Sequence, residues 1–323
     1  MCTLSGLIFT ATSRHADSTT LTVSSCSVPS SCVAKLEGHT GPVRKCSFSN
    51  DRRLLATASW DNGVRLWDVD VHQCIATLNG HTRFVNSCAF SPDDTLVASA
   101  SDDQSVRLWD VKSLRCIATL NTRAGRVYSC AFSADASVLV SASADKTLQL
   151  WNMKTFLCMA RLQEHTSCVM GCDTSRDGIL ASASLDKTVR LWDINTQKCI
   201  TVLKGHIQRC LLCCFTADGA LLSSTSLDNT VRLWDMRTRH SIATLQDSNS
   251  ATHQCSFSSD GAWIAAACGL DKVARIWDVK TLRCIATLQH NGEIRACSFS
   301  SNGIIAAAGG SAYSGDYIIR LWQ

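Results

Sequence analysis

Short runs of alternating apolar and polar residues, divided by turn residues, recur along most of the chain. One group of four runs covers 43–49, 54–59, 64–69 and 74–78. Turn-forming residues separate these runs, such as Asn50-Asp51 and Asp61-Asn62-Gly63. Runs of this length joined by tight turns predict four-stranded antiparallel sheets. The hydrophobic pattern therefore predicts an all-β fold.

The four-run group is repeated seven times. Each copy has a Trp preceded by Leu or Ile, at spacings of 42, 42, 41, 42, 43 and 45 residues, and an Asp six residues before that Trp. The seven Trp residues are Trp67, Trp109, Trp151, Trp192, Trp234, Trp277 and Trp322. One four-stranded sheet cannot bury both of its faces, whereas seven sheets arranged radially around a channel can.

Dipeptide motifs in these repeats resemble those of the WD-repeat β-propeller family. Gly-His pairs occupy 38–39, 80–81 and 205–206, and Trp-Asp pairs occupy 67–68, 109–110, 192–193, 234–235 and 277–278. The resemblance covers residues 32–322. It implies a seven-bladed β-propeller of four-stranded antiparallel blades.

The chain ends predict how the ring closes. The last repeat stops at Gln323, directly after its third strand, and residues 32–36 (CVAKL) copy the fourth-strand pattern of residues 74–78 (CIATL). We therefore expect an N-terminal strand to complete the last blade and remove its exposed edge. The propeller domain is predicted to be 31–323. Residues 1–30 are an N-terminal extension that includes a possible extra hairpin or degenerate eighth blade.

Composition narrows the classes of partner. The net charge is +4 and is spread without a basic block, so neither nucleic acid nor a membrane is expected as a partner.

Nineteen cysteines without a clear signal peptide favour a reducing compartment, the cytoplasm, the nucleus or both. Thirteen of them fall in two repeated columns, which we interpret as small buried core residues. The first-strand column is Cys46, Cys88, Cys130, Cys172, Cys213, Cys255 and Cys297, and the fourth-strand column is Cys32, Cys74, Cys116, Cys158, Cys199 and Cys284.

A set of His, Ser or Thr, Asp and Trp recurs in four repeats. The family resemblance implies that these sets are structural tetrads: His39, Thr57, Asp61 and Trp67; His81, Ser99, Asp103 and Trp109; His165, Ser182, Asp186 and Trp192; and His206, Ser224, Asp228 and Trp234. A catalytic triad needs one exposed nucleophile, whereas this trio recurs at equivalent positions, so we predict no enzyme activity. We also expect no metal and no cofactor. The sets are incomplete in the third repeat (Arg123 at the His position), the sixth (Ser248 and Ala267) and the seventh (Ala308 at the Ser position).

Function in a repeat protein is expected where the repeats differ. The variable positions lie at one end of the predicted propeller, the top face, which carries the loops before each first strand and the turns between second and third strands. Aromatic, Leu and Arg residues there have the composition of a protein-binding surface. The predicted partner-binding residues are Trp60, Phe84, Tyr128, Leu185, Leu227, Leu270, Arg44, Arg126, Arg209 and Arg295. We predict a monomeric, non-catalytic scaffold that binds a protein or peptide offering apolar anchors and negative charge.

Two other functions stay open. The sequence Trp234-Asp235-Met236-Arg237 resembles the Trp-Asp-x-Arg box with which substrate receptors of cullin-based ubiquitin ligases dock on a propeller adaptor. Asp235 and Arg237 would contact that adaptor. Alternatively, Trp60, Phe84 and Tyr128 would contribute to an aromatic cage that reads modified histone-type peptides.

Overall fold

The computed structural model describes residues 29–123, 125–246, 250–310 and 315–323, and these contain 28 strands. In chain order they are β1 (Cys32–Leu36), β2 (Val43–Phe48), β3 (Leu54–Ser59), β4 (Val64–Asp68), β5 (Gln73–Leu78), β6 (Val85–Phe90), β7 (Leu96–Ser101), β8 (Ser105–Asp110), β9 (Cys116–Asn121), β10 (Val127–Phe132), β11 (Val138–Ser143), β12 (Leu148–Asn152), β13 (Cys158–Leu162) and β14 (Val169–Thr174). The second half continues with β15 (Ile179–Ser184), β16 (Val189–Asp193), β17 (Lys198–Leu203), β18 (Cys210–Phe215), β19 (Leu221–Ser226), β20 (Val231–Asp235), β21 (His240–Leu245), β22 (Thr252–Phe257), β23 (Trp263–Cys268), β24 (Val273–Asp278), β25 (Cys284–Gln289), β26 (Ile294–Phe299), β27 (Ile305–Gly309) and β28 (Ile319–Trp322).

The strands form seven four-stranded antiparallel sheets, as the sequence predicts. Blades 1 to 6 take four consecutive strands each, starting with β2, and blade 7 has the order β1-β28-β27-β26. Strand β1 pairs antiparallel with β28, with Leu36 opposite Ile319. The backbone amides of Ser30 and Ser31 also donate to the carbonyl of Gln323. The predicted closure of blade 7 by an N-terminal strand is therefore confirmed. The possible extra hairpin or degenerate blade in 1–30 stays a prediction, because residues 1–28 lie outside the described residues.

The core lies between blades. Seven clusters of buried apolar side chains occur among the described residues, and each joins two adjacent blades. One of them packs Leu36 and Ile319 of blade 7 against Leu55 and Trp67 of blade 1. Because this cluster joins the last blade to the first, the same apolar packing that links other neighbours also closes the ring.

Turn chemistry fixes the top ends of the blades. In the turn of blade 1, Asn62 has a left-handed backbone with φ of 72°, which Asn tolerates better than most residues. The carboxylate of Asp61 accepts a hydrogen bond from the Gly63 amide at 3.0 Å, and its other oxygen accepts from the Thr40 amide at 3.1 Å. The repeated Asp thus joins the turn to the loop that precedes the first strand.

The fourth-strand cysteines correct one expectation. The first-strand column is buried as predicted, but Cys32, Cys74, Cys116 and Cys158 are exposed. They lie at or near the start of the outermost strands of four blades. The Arg65 guanidinium contacts the Cys74 sulfur at 3.8 Å. The interpretation of these four residues as buried core was wrong, because repetition shows a shared position without showing which face it occupies. Cys199 and Cys284 of the same column are half-buried and pack against the core.

None of the described segments forms a helix long and apolar enough to cross a membrane.

Candidate functional site

The repeated polar residues form a directional hydrogen-bond chain, seen clearly in blade 5. Trp234 Nε1 donates to Ser224 Oγ at 2.8 Å, Ser224 Oγ lies 2.8 Å from His206 Nε2, and His206 Nδ1 lies 2.8 Å from Asp228 Oδ2. A carboxylate only accepts, so Nδ1 carries the proton and Nε2 accepts from the serine hydroxyl. Burial lowers the pKa of His206, which favours this neutral form.

The Asp of this chain is held ionised. Burial alone would raise the pKa of Asp228, but hydrogen bonds from Thr230 and His206 outweigh burial and keep that pKa below its ordinary value. Blades 1, 2 and 4 contain the same contacts. Each serine or threonine hydroxyl in these chains is fully buried. The arrangement therefore satisfies buried polar groups and exposes no nucleophile.

The incomplete blades partner the turn Asp differently. An arginine replaces the histidine, with Asp145 to Arg161 at 2.6 Å in blade 3 and Asp271 to Arg275 at 2.9 Å in blade 6. In blade 7, His290 donates through Nε2 to the Ile318 carbonyl at 3.1 Å instead of to the turn Asp. Ser248 lies outside the described residues.

The structure also shifts two positions by one residue. Strand register places Ala266 and Ala307 where the other blades have Ser or Thr, in place of the predicted Ala267 and Ala308. The hairpin after Ala266 is one residue longer than in the complete blades, so counting back ten residues from Trp277 reaches Ala267. Ala308 lies 18 residues after His290, the spacing of blades 1, 2 and 5, whereas Ala307 lies 17 residues after it, the spacing of blade 4. Because Ala307 has no hydroxyl, Trp322 Nε1 is buried without a hydrogen-bond partner among the described residues.

A β-bulge interrupts the innermost strand of every blade at its top end. In blade 1, Val43 pairs with Ser59 and Lys45 with Ala58, leaving Arg44 unpaired between them. A bulge re-aims the extra side chain. The bulged positions are Arg44, Asn86, Tyr128, Met170, Leu211, His253 with Gln254, and Arg295.

These bulged residues line one cavity of about 170 Å³ at the top mouth of the central channel. The residue at this position differs between blades, and the bulges bring these differing side chains to a single place. Arg44 and Arg295 lie on blades 1 and 7, while Met170 and Leu211 lie on the opposite side in blades 4 and 5. The mouth therefore has a cationic side and an apolar side.

Two predicted aromatic residues contact each other at the rim. The rings of Trp60 and Phe84, from adjacent blades, stack at a centroid distance of 4.9 Å and an interplanar angle of 14°. Phe84 is 44% exposed, whereas Trp60 is half-buried. The guanidiniums of Arg44 and Arg295 lie 5.1 and 5.9 Å from the Trp60 ring centroid. An ammonium ligand would meet this positive charge, which opposes a cage for modified lysine.

The other predicted residues are spread around the rim. Leu270 is 75% exposed, Leu227 is exposed and Leu185 is half-buried. Arg126 contacts Asp102 at 3.5 Å, and Asp102 also accepts from Asn86 at 2.7 Å. Arg209 is exposed. The structure therefore brings Arg44, Arg295, Trp60, Phe84 and Tyr128 around the channel mouth and its adjoining rim, and it leaves Leu185, Leu270 and Arg209 apart from the cavity.

Comparison with known proteins agrees with this geometry. The sequence profile of the WD domain, G-beta repeat, matches seven segments of the chain: 30–68, 72–110, 114–152, 156–193, 197–235, 239–278 and 282–323. The chain belongs to this WD-repeat family. Each matched segment holds the last strand of one blade and three strands of the next, so every WD repeat links two blades.

Individual WD relatives match over about one repeat. The chain is 57% identical over 42 residues to telomerase protein component 1 of Rattus norvegicus, which is 13% of this chain and 2% of that protein. It is 60% identical over 37 residues, 12% of this chain, to 7% of pre-mRNA-processing factor 19 of Oryza sativa subsp. japonica. It is also 53% identical over 34 residues, 10% of this chain, to 4% of the periodic tryptophan protein 2 homolog of Schizosaccharomyces pombe. The chain therefore spans only a small fraction of these relatives.

The WD box of blade 5 has an ordinary turn at its centre. The Asp235 carboxylate accepts from the Thr238 amide at 2.7 Å, and Asp68 of blade 1 makes the equivalent contacts with the amides of Asp70 and Val71. Only the exposed Arg237 distinguishes this box from the other WD repeats.

Several channel-mouth residues were absent from the predicted site, although the sequence contained a signal for them. Asn86, Met170, Leu211 and His253 belong to the same variable column as the predicted Arg44. Burial and the positive charges of Arg295 and Arg44 lower the pKa of His253 to about 3, so it is neutral at pH 7. No three His, Cys, Asp or Glu side chains of the described chain are grouped as ligands of a metal ion.

Proposed function

We propose that this protein is a non-catalytic scaffold that binds a peptide or protein partner on the top face of its propeller. The observation that carries the proposal is the stack of Trp60 on Phe84 beside the channel mouth. A large aromatic surface that is open to solvent at a rim, next to arginines, has the composition of an interaction hot spot. The remaining rim leucines would add apolar contact area.

The repeated polar chemistry supports the same proposal. The His, Ser and Asp residues that could resemble a hydrolase satisfy one another inside the blades, as described for His206, Ser224 and Asp228. The variable residues, in contrast, gather at one end of the ring. A fold of this kind hosts many functions, so the residues of the site carry the argument.

A reducing location is part of the proposal. The structure describes 17 of the cysteines and joins none of these in a disulfide, which fits the cytoplasm, the nucleus or both. The names of two matching relatives refer to telomerase and to pre-mRNA processing.

Affinity purification with quantitative mass spectrometry tests the proposal. Replacing Trp60 and Tyr128 together with alanine should remove the captured partners while the melting temperature stays within a few degrees, because both side chains are only half-buried. The matched control is Leu157→Ala, which removes a 68% exposed leucine at the opposite end of blade 3. Partners retained by the double variant, or lost equally in the control, would overturn the proposal. Recovery of a cullin-ligase adaptor that is lost on Arg237→Ala would instead assign the WD box a docking role.

A further inference from the structure

The channel mouth has an excess of positive charge. Three cationic side chains, Arg44, Lys45 and Arg295, line its cavity, and no carboxylate of the described chain does. Only Arg295 has an ion-pair partner, Glu293 at 2.8 Å. Like charges held this close raise the free energy of the empty site.

Arg44 lacks a polar partner. No hydrogen bond or ion pair joins its guanidinium to another described residue, and it lies over the Trp60 ring, 5.1 Å from the centroid. Burial and the charge of Arg295 lower the pKa of Arg44 to about 10, so it still carries its charge at pH 7. A charged donor in such surroundings is more costly than one that is paired.

Two further donors at the same place are unsatisfied. The Nε1 of Trp60 and the Nε of Arg295 are buried without hydrogen-bond partners, and both belong to residues in the cation–π cluster with Arg44. The neighbouring carboxylates are already engaged, Glu293 by Arg295 and Asp102 by Arg126 and Asn86. Ser87 Oγ and the acceptor Gln254 Oε1, both from residues that line the cavity, are also buried without a partner among the described residues. The two charges that lack an ion-pair partner, Arg44 and Lys45, are both positive, so the group that fits this mouth should be an anion.

The opposite wall defines the rest of the ligand. Met170, Leu211 and Leu227 provide an apolar side, which would contact methylene groups rather than a hydrated ion. The cavity of about 170 Å³ has room for one side chain, while the Trp60 and Phe84 stack offers a flat apolar surface beside it.

We propose that the channel mouth binds the carboxylate of a glutamate or aspartate side chain of a bound peptide, between Arg44 and Arg295, with an apolar neighbour of that residue on the Trp60 and Phe84 stack. This inference rests on the proposed function and specifies its anchor. Carboxylate to guanidinium hydrogen bonds are among the stronger ones in proteins. A single carboxylate between the two guanidiniums would supply acceptors to both Arg44 and Arg295.

Selection from a phage-displayed library of random twelve-residue peptides tests the inference. Wild-type protein should enrich peptides that share one Glu or Asp near an apolar residue. In synthetic copies of an enriched peptide, changing that acid to its amide should weaken binding by about 10- to 100-fold in fluorescence anisotropy. Arg44→Gln or Arg295→Gln should cause a similar loss, and the amide change should then add little.

Charge reversal separates recognition from a structural effect. Arg44→Glu should shift the library selection towards Lys or Arg at the anchor position, which loss of folding would not do. Arg209→Gln, an exposed rim arginine that does not line the cavity, is the matched control and should leave both selection and affinity unchanged.

The outcomes distinguish the two proposals. Enriched peptides without a shared acid would overturn the carboxylate anchor and leave top-face peptide binding intact, whereas failure to enrich any peptide would overturn both. A copy with phosphoserine at the anchor is the second arm. If it binds while the Glu or Asp copy does not, the carboxylate assignment is wrong.

Discussion

Removing the central hydroxyl of one tetrad should destabilise the propeller more than removing its counterpart from an incomplete blade. Ser224 Oγ accepts from Trp234 Nε1 and faces His206 Nε2, both at 2.8 Å. Ser224→Ala therefore leaves two buried groups without partners. Each such group costs about 1–3 kcal/mol, so two of them should lower the free energy of unfolding by about 2–6 kcal/mol.

Blade 3 supplies the matched comparison. Ser141 is equally buried but contacts only Trp151 Nε1, at 3.0 Å, because Arg123 replaces the histidine. Ser141→Ala should cost about 1–3 kcal/mol, half the loss expected for Ser224→Ala, since one group instead of two loses its partner. The two variants remove the same atom from the same strand position, so their difference isolates the histidine contact.

Urea unfolding at pH 7, followed by both tryptophan fluorescence and circular dichroism, measures the difference. Coincident transitions would support a two-state treatment, and m-values should match wild type. Ser182→Ala, in the complete set of blade 4, should repeat the larger loss. Equal destabilisation by Ser224→Ala and Ser141→Ala would refute the reasoning that the tetrad is a coupled structural network.

Three further outcomes follow from burial and charge. Brief alkylation of the native protein should modify the exposed outer-strand thiols first, those of Cys32, Cys74, Cys116 and Cys158. The first-strand cysteines should react later, because they are buried and burial raises their thiol pKa. Equal modification of both columns, measured by peptide mass spectrometry, would contradict this. The pKa of His253 in the folded protein is lowered to about 3. Below about pH 6.5 the unfolded chain therefore binds a proton at His253, whereas the folded protein does not. This residue should account for about 2 kcal/mol of the stability lost between pH 7 and pH 5. His253→Gln should lack that part of the loss in urea titrations at the two pH values, and an unchanged pH dependence would count against the assignment. Burial raises the pKa of Asp173 in the folded protein. Its ionised form therefore opposes folding once the pH exceeds the pKa of the unfolded chain, near 4. Asp173→Asn should raise the melting temperature at pH 7, and a lower melting temperature would show that the charge is needed.

The repeat made most of the fold predictable. Seven copies of one pattern fix strand number, turn positions and the pairing of the N-terminal strand with the last blade, since each copy reports the same local preferences. The first blade shows how closely this works, because its second strand was predicted as 54–59 and is observed as Leu54–Ser59. Errors arose where repeats differ in length, as at Ala266 and Ala307.

The site was less predictable than the fold. The variable column containing Arg44 and Arg295 was visible, but the bulge that directs these side chains into one cavity depends on strand pairing, which residue spacing does not encode. Contacts between blades were equally hidden. Trp60 and Phe84 are 24 positions apart in sequence and lie in adjacent blades. Only the circular arrangement of the blades brings the centroids of their aromatic rings to 4.9 Å.

The exposure of the fourth-strand cysteines shows the same limit. Cys46 and Cys74 each belong to a regular column, yet the first is buried and the second exposed. A column records that a position recurs in every blade, while its depth depends on whether the strand is innermost or outermost.

Site-specific photo-crosslinking tests most directly whether the variable top rim is the partner surface. A benzophenone amino acid placed at Phe84, which is exposed on the Trp60 stack, should crosslink the bound partner, and the same group at Leu157, exposed at the opposite end, should not. Crosslinks from Leu157 together with none from Phe84, in a sample where the partner co-purifies, would contradict the account.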